Sequence, residues 1–318
     1  MRNSAFVLLI SLLLSVGAKA QDFSRMVAPP AMQKTRAILT DSIQPETHIG
    51  QGGDKTTMHR GVLAVAVPFA KTERNSWTVS TNYGWIDFAP DQQQVPDLYN
   101  FDLGLTYTEM IEDKKMWAGS FSIGSASDLL FKNPSVTTFS GNYFYVNPKS
   151  ETETWMFLVN YSNNRPFLNN IPLPGFAYIY APSKTFRGTF GAPFAQLSWE
   201  FAEGWTYNFF TLVPWVLKTS VDYTIAGPAK AYVGVDFSQA TYYLHDRKDR
   251  NERLFYDEKK LFIGAKSPIN KSLFADLEAG YAFDRRFFAA EDYERDPANP
   301  IALGASVYVK LMVAVSID

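Results

Sequence analysis

The stretch Ser76-Trp77-Thr78-Val79-Ser80-Thr81-Asn82-Tyr83-Gly84-Trp85 alternates without a break. Odd positions carry Trp77, Val79, Thr81, Tyr83 and Trp85, and even positions carry Ser76, Thr78, Ser80, Asn82 and Gly84. Successive side chains of an extended chain point to opposite faces, so a period of two describes a strand with one apolar and one polar side. The pattern recurs along the chain. Tyr99, Phe101, Leu103, Leu105 and Tyr107 alternate with Asn100, Asp102, Gly104 and Thr106. Trp155, Phe157, Val159 and Tyr161 oppose Thr154, Asn160 and Ser162, and Leu273, Ala275, Leu277, Ala279, Tyr281 and Phe283 oppose Ser272, Asp276, Glu278 and Asp284.

A soluble sandwich also alternates. Three features favour a transmembrane β-barrel instead. The alternating segments run about 9 to 14 residues, against the five or six usual in soluble strands and the roughly 9 to 11 that a tilted membrane strand needs. Aromatic residues mark the ends of the apolar faces, as an interfacial girdle requires. Connections alternate in length: tight turns at 71–74, 112–115, 147–150, 202–204, 227–229 and 267–270 are interleaved with longer stretches at 44–55, 90–96, 127–134, 163–175, 245–252 and 285–300. Short periplasmic turns and long extracellular loops are the habit of outer-membrane barrels.

The expected fold is therefore all-β: a single antiparallel transmembrane barrel of about 14 strands, with 12 or 16 as alternatives. Strands are predicted near 34–43, 57–69, 75–87, 97–110, 116–125, 135–146, 153–162, 192–201, 205–213, 215–225, 230–244, 253–266, 271–284 and 302–317. The turn at Pro214 and the stretch 176–190 are the weak places, the latter being either a loop hairpin or two further strands.

The N-terminus has the marks of a cleavable export signal over residues 1–20: Arg2, an apolar run from Ala5 to Val16, and Ala18-Lys19-Ala20 as a small-x-small cleavage site. The barrel then occupies 21–318. Without Arg2 and Lys19, 28 basic residues stand against 32 acidic ones, and no basic face suits nucleic acid. Cysteine is absent, which excludes a disulfide and a lipid-anchored lipoprotein. After the signal, no run approaches the roughly 20 consecutive apolar residues of a membrane helix.

Ile171-Pro172-Leu173-Pro174-Gly175-Phe176-Ala177-Tyr178-Ile179-Tyr180-Ala181-Pro182-Ser183, followed by Gly191-Ala192-Pro193-Phe194, resembles a family of uncharacterised bacterial outer-membrane β-barrel proteins. The resemblance implies one barrel over nearly the whole mature chain and carries no settled activity. The prolines lack backbone donors, so this segment is expected to be a structured loop from Pro172 to Gly175 rather than a central strand. The final strand ends Val315-Ser316-Ile317-Asp318 and lacks the terminal aromatic residue that barrel assembly machinery commonly reads.

With the apolar faces outward, Asp102, Lys218, Asp222, Asp236, Asp276, Glu278 and Lys310 fall on the lumen side. A midplane Lys or Arg facing lipid costs about 2 to 4 kcal/mol, so this distribution supports the register. Such side chains can line a water-filled pore and set its ion selectivity, or pair with one another in a plugged barrel. The run His245-Asp246-Arg247-Lys248-Asp249-Arg250 projects from a loop, where Arg247, Lys248 and Arg250 are candidate contacts for lipopolysaccharide phosphates. Enzymatic chemistry finds little footing. Three histidines are present, at 48, 59 and 245, and Ser120-Phe121-Ser122-Ile123-Gly124 lacks the first glycine of a nucleophile elbow. Gly50-Gln51-Gly52-Gly53-Asp54-Lys55 lacks P-loop spacing, and no ligand spacing predicts a metal or cofactor. The expected function is a passive channel or small-solute uptake pore in the outer membrane. A closed ligand-binding or structural barrel is the alternative, and a lipid-acting enzyme is a more distant one.

Overall fold

The computed structural model describes residues 30, 33–50, 55–90, 94–212 and 216–317. The export signal, the glycines at 52 and 53, and the turn at Pro214 lie outside the described residues. Seventeen strands form: β1 (Thr35–His48), β2 (Lys55–Lys71), β3 (Asn75–Ala89), β4 (Leu98–Met110), β5 (Met116–Ser127), β6 (Thr137–Pro148), β7 (Glu153–Ser162), β8 (Leu173–Tyr180), β9 (Phe186–Ala192), β10 (Phe194–Ala202), β11 (Trp205–Leu212), β12 (Val216–Ala226), β13 (Ala229–Tyr242), β14 (Arg253–Pro268), β15 (Leu273–Ala290), β16 (Ile301–Leu303) and β17 (Ser306–Ile317). Consecutive strands pair antiparallel, and β17 returns to β1 from Thr35↔Ile317 to Ile43↔Val309. The three-residue β16 pairs with the far part of β15 and stands outside the ring, so the closed barrel has sixteen strands.

Sixteen corrects the expectation of about fourteen, and the two additional strands are β8 and β9. The proline-rich segment that reads as a loop is largely β8. Pro174 is paired with Val159 of β7, while pairing with β9 begins only at Phe176↔Ala192, so the proline sits where the strand has a partner on one side. Proline is tolerated near the start of a strand for that reason. A second correction concerns Arg285–Ala290, which belong to β15 and not to the following loop. A bulge at Asp284, whose φ is 47°, interrupts the alternation there.

The period of two sorts the faces. On β17, Val307, Val309 and Leu311 are 60%, 50% and 49% exposed, whereas Tyr308 and Met312 are 2% and 3% exposed. Sheet closure tilts the strands, so a row of paired residues climbs the wall. One outward row runs Trp85, Gly61, Asp41, Leu311, Leu277, Ala265, Ala231, Tyr223, Trp205. It begins near the loop end of β3 and finishes at the first residue of β11, beside a tight turn. Outward aromatic pairs gather at this second end, where both described chain ends lie: Trp77 and Tyr107 (ring centroids 4.7 Å apart), Tyr107 and Trp117 (5.2 Å), Trp155 and Tyr178 (5.1 Å), and Trp205 and Tyr223 (4.6 Å).

The opposite, loop-bearing end is uneven. β13, β14 and β15 have 14, 16 and 18 residues, but β8 to β11 have only seven to nine. Pro193 alone joins β9 to β10, leaving a low rim on that side. Across the barrel the walls meet. The Tyr243 backbone N–H donates to the Ala126 carbonyl at 2.7 Å, and Ser127 and Tyr243 form a parallel bridge. β5 and β13 are eight places apart in the ring of sixteen, so diametrically opposite walls touch at this end. Beneath the contact, Met58, Ile86, Phe88, Leu98, Tyr256 and Phe287 belong to one buried apolar core inside the barrel.

Candidate functional site: the barrel interior

Two unlike walls face each other inside. From β12 through β17 to β2 the inward positions carry charge. Lys266 Nζ lies 2.6 Å from Asp222 Oδ2, Lys310 Nζ lies 2.7 Å from Glu278 Oε1, and Lys218 Nζ lies 3.9 Å from Asp236 Oδ2. The Tyr232 hydroxyl donates to Asp276 and, at 3.2 Å, to Glu278, while the Tyr308 hydroxyl donates to Glu278 at 2.8 Å. Gly264 is what admits Tyr232: a Cβ there would stand 2.4 Å from the phenolic oxygen. Higher up, Glu258 accepts from Arg60 at 3.1 Å, Gln44 at 2.8 Å and Tyr256 at 3.0 Å, and pairs with Lys260. Arg285, 2% exposed, donates to Gln44 and, at 3.2 Å, to Thr47. Each buried charge thus has an opposite charge or a hydrogen-bonding group against it, as its desolvation demands.

From β3 to β11 the inward wall combines hydroxyl and amide groups with a second buried apolar cluster, which includes Met116, Phe144, Met156, Leu158 and Phe194. Asn160 Nδ2 donates to Asn142 at 2.6 Å, Asn142 Nδ2 donates to Ser120 at 3.1 Å, and Ser122 and Ser140 share a 2.7 Å hydrogen bond. Arg165 reaches in from the loop after β7 and donates to Asn160 Oδ1 at 2.8 Å. At the end near the chain termini, Gln33 accepts from Ser76 at 2.7 Å and from Thr78 at 2.8 Å. At mid-height Ser80, Asn82, Asn100, Asp102, Ser120 and Asn142 keep intermediate exposure. An inward residue can be exposed only to the lumen, so the space between the two walls is not filled there.

All seven charged residues singled out from sequence occupy inward positions. Six of them, Lys218, Asp222, Asp236, Asp276, Glu278 and Lys310, are gathered on the charged wall, and Asp102 stands apart on β4, paired across to Asn82 and Gly124. Sequence reading missed Arg60, Glu258, Lys260, Lys266 and Arg285. The doublet Lys259-Lys260 hides which lysine faces in, and the bulge at Asp284 reverses the parity that would have placed Arg285. It also missed outward charges, among them Asp41, which is exposed between Leu39 and Ile43 on the apolar face.

In the loop after β13, Arg247 is committed internally. Its guanidinium donates to Ser135 O at 2.6 Å and to Leu244 O at 2.9 Å, and it covers the Tyr243 ring at 4.2 Å. Lys248 and Arg250 are exposed. Nearby, His245 Nδ1 lies 2.6 Å from Asp128 Oδ2. Burial works to raise the Asp128 pKa, but hydrogen bonds from the His245 ring, the His245 backbone and Ser127 outweigh it and hold the carboxyl below its ordinary range.

No family model and no curated protein matches this chain. Among solved structures, an outer-membrane channel from Pseudomonas putida F1 is similar at 11% identity and a TM-score of 0.37, over 89% of this chain and 95% of that one. A variant of the monoaromatic hydrocarbon channel TodX is similar at 8% identity and a TM-score of 0.42, over 93% and 94%. A FadL homologue from Pseudomonas aeruginosa is similar at 10% identity and a TM-score of 0.42, over 94% of each chain. At identities this low, the cargo named for those proteins is theirs alone.

Proposed function

We propose that this protein is a passive channel of the bacterial outer membrane, admitting ions or small hydrophilic solutes. The outward apolar belt and its aromatic margin match a bilayer, which satisfies no backbone polar group and therefore selects closed barrels. The observation that carries the channel is the partial exposure of Ser80, Asn100 and Asp102 on the inward face. A plugged interior would bury them.

The pinch fixes where a passage can run. On the side of β13 to β17 and β1 to β5 the loop end is occupied by the apolar core, and on the side of β5 to β10 the second buried cluster, with Met116, Phe144, Met156, Leu158 and Phe194, narrows the interior beside the low rim at Pro193. Solutes crossing at mid-height pass between the densely charged wall and a facing wall that carries Asp102 among its hydrogen-bonding groups.

Single-channel conductance of the refolded protein in a planar bilayer tests this, with a barrel known to be plugged as control. Reproducible steps are expected. Silence from protein shown to be folded and inserted would overturn the channel. It would favour a closed envelope barrel, to which the near-complete pairing of the charged wall is also suited.

A further inference from the structure

The contact between opposite walls is accompanied by a group of metal-type donors that no part of the channel uses. Asp128 follows β5, and His245 and Asp246 follow β13, so the three come from the two segments that meet across the barrel. One ligand atom from each lies within 4.8 Å of the others. The group is also oriented. Asp128 Oδ1 accepts from Ser127 Oγ at 2.8 Å and from the His245 backbone N–H at 2.9 Å, which turns Oδ2 towards the imidazole. Fixing a ligand carboxylate by hydrogen bonds from outside the coordination sphere is how metal sites are commonly built. The side chains of His245 and Asp128 are 32% and 11% exposed, and Asp246 is exposed, so an ion has a path from solvent.

We propose that Asp128, His245 and Asp246 bind a divalent transition-metal ion, Zn²⁺ being the best fit, which ties the two opposite walls of the barrel together. One imidazole nitrogen and two carboxylate oxygens form a donor set of borderline hardness, suited to zinc rather than to calcium or magnesium. Bonds of about 2.0 to 2.2 Å place tetrahedral ligand atoms roughly 3.3 to 3.6 Å apart. The exposed Asp246 closes in slightly, and the Nδ1···Oδ2 contact opens as the ion takes the Nδ1 lone pair of the neutral imidazole, whose single ring proton is then on Nε2. Two carboxylates outweigh the nearby Arg247 guanidinium, leaving net negative charge for the cation. The fourth position stays with water, which makes the site structural in its effect on the walls and open to solvent.

The test is Zn²⁺ titration of the folded barrel in detergent micelles by calorimetry, with hydrogen exchange at the Tyr243 amide read in parallel. One equivalent is expected to bind, and Zn²⁺ is expected to slow exchange at Tyr243. H245A and D246N should each weaken binding by about tenfold or more, while H59A, on the outward face of β2, should leave it unchanged. Asp246 makes no contact that the fold needs, so D246N remains informative even if H245A disturbs the loop. Absence of binding by the parent protein, or undiminished binding in both H245A and D246N, would overturn the site.

Discussion

Tyr243 donates its backbone N–H to the carbonyl of Ala126 at 2.7 Å, although the strands ending beside them stand on opposite sides of the barrel. The contact draws the loop end into two compartments, one filled by the apolar core and one left to whatever crosses.

Acid should release the pinch. The Asp128 carboxyl is held below the ordinary aspartate value of 3.8, so its contribution is complete above that pH and is lost as pH falls through the lower folded-state value. Hydrogen exchange at Tyr243 is expected to be constant from neutral pH down to about 4, once the intrinsic pH dependence is removed, and to rise below it. D128N should show fast exchange at every pH.

Glu258 is the most demanding position in the charged wall. Its side chain is fully buried and is shared by Arg60, Lys260, Gln44 and Tyr256. Truncation in E258A strands two cations and should destabilise the barrel by about 3 to 5 kcal/mol. Unfolding by urea in lipid vesicles measures it, and a loss under 1 kcal/mol would show that water reaches those cations freely.

Ion preference should follow the charged wall. Its five carboxylates, Asp222, Asp236, Glu258, Asp276 and Glu278, face six cations, Arg60, Lys218, Lys260, Lys266, Arg285 and Lys310. The small positive excess gives a weak anion preference in a salt gradient. Lys218→Met with Lys310→Met should shift the reversal potential towards cations, and D102N should shift it the opposite way.

Asp41 lies two strands from Trp85 along a row that descends to Trp205, which places it within the outward apolar belt. Asp41→Leu removes a carboxylate from lipid and should raise stability by about 1 kcal/mol, since acids on that face cost less than the 2 to 4 kcal/mol of a midplane Lys or Arg. A decrease would mean that the carboxylate has a partner in the membrane.

Contact with lipopolysaccharide phosphates, if made by the loop after β13, falls to Lys248 and Arg250. Reversing both charges should weaken binding to phosphorylated lipopolysaccharide without altering the barrel. Arg247→Glu should instead loosen the loop, because the guanidinium holds the Ser135 and Leu244 carbonyls.

Sequence reading recovered the barrel and the inward or outward sense of most strands because the period of two is local and survives wherever pairing is regular. It failed where a local feature hides the period. Pro174 argues against a strand unless one knows that β9 does not extend to it, and the bulge at Asp284 swaps the faces for Arg285 and Phe287. The candidate interior charges could be placed on a face, but their partners could not, since Lys310 meets Glu278 only through strand order. The pinch was invisible because nothing in the residues near Ala126 announces Tyr243.

Asp128 and His245 are 117 residues apart in the chain, whereas neighbouring strands join through short connections. Local pairings close cheaply and distant ones late, and the partners of the β1–β17 seam stand at opposite ends of the described chain, so the expected order is hairpins, then the contact between walls, then the seam. The wall contact would therefore form while the ring is still open, and the closing seam would complete a cylinder already divided in two.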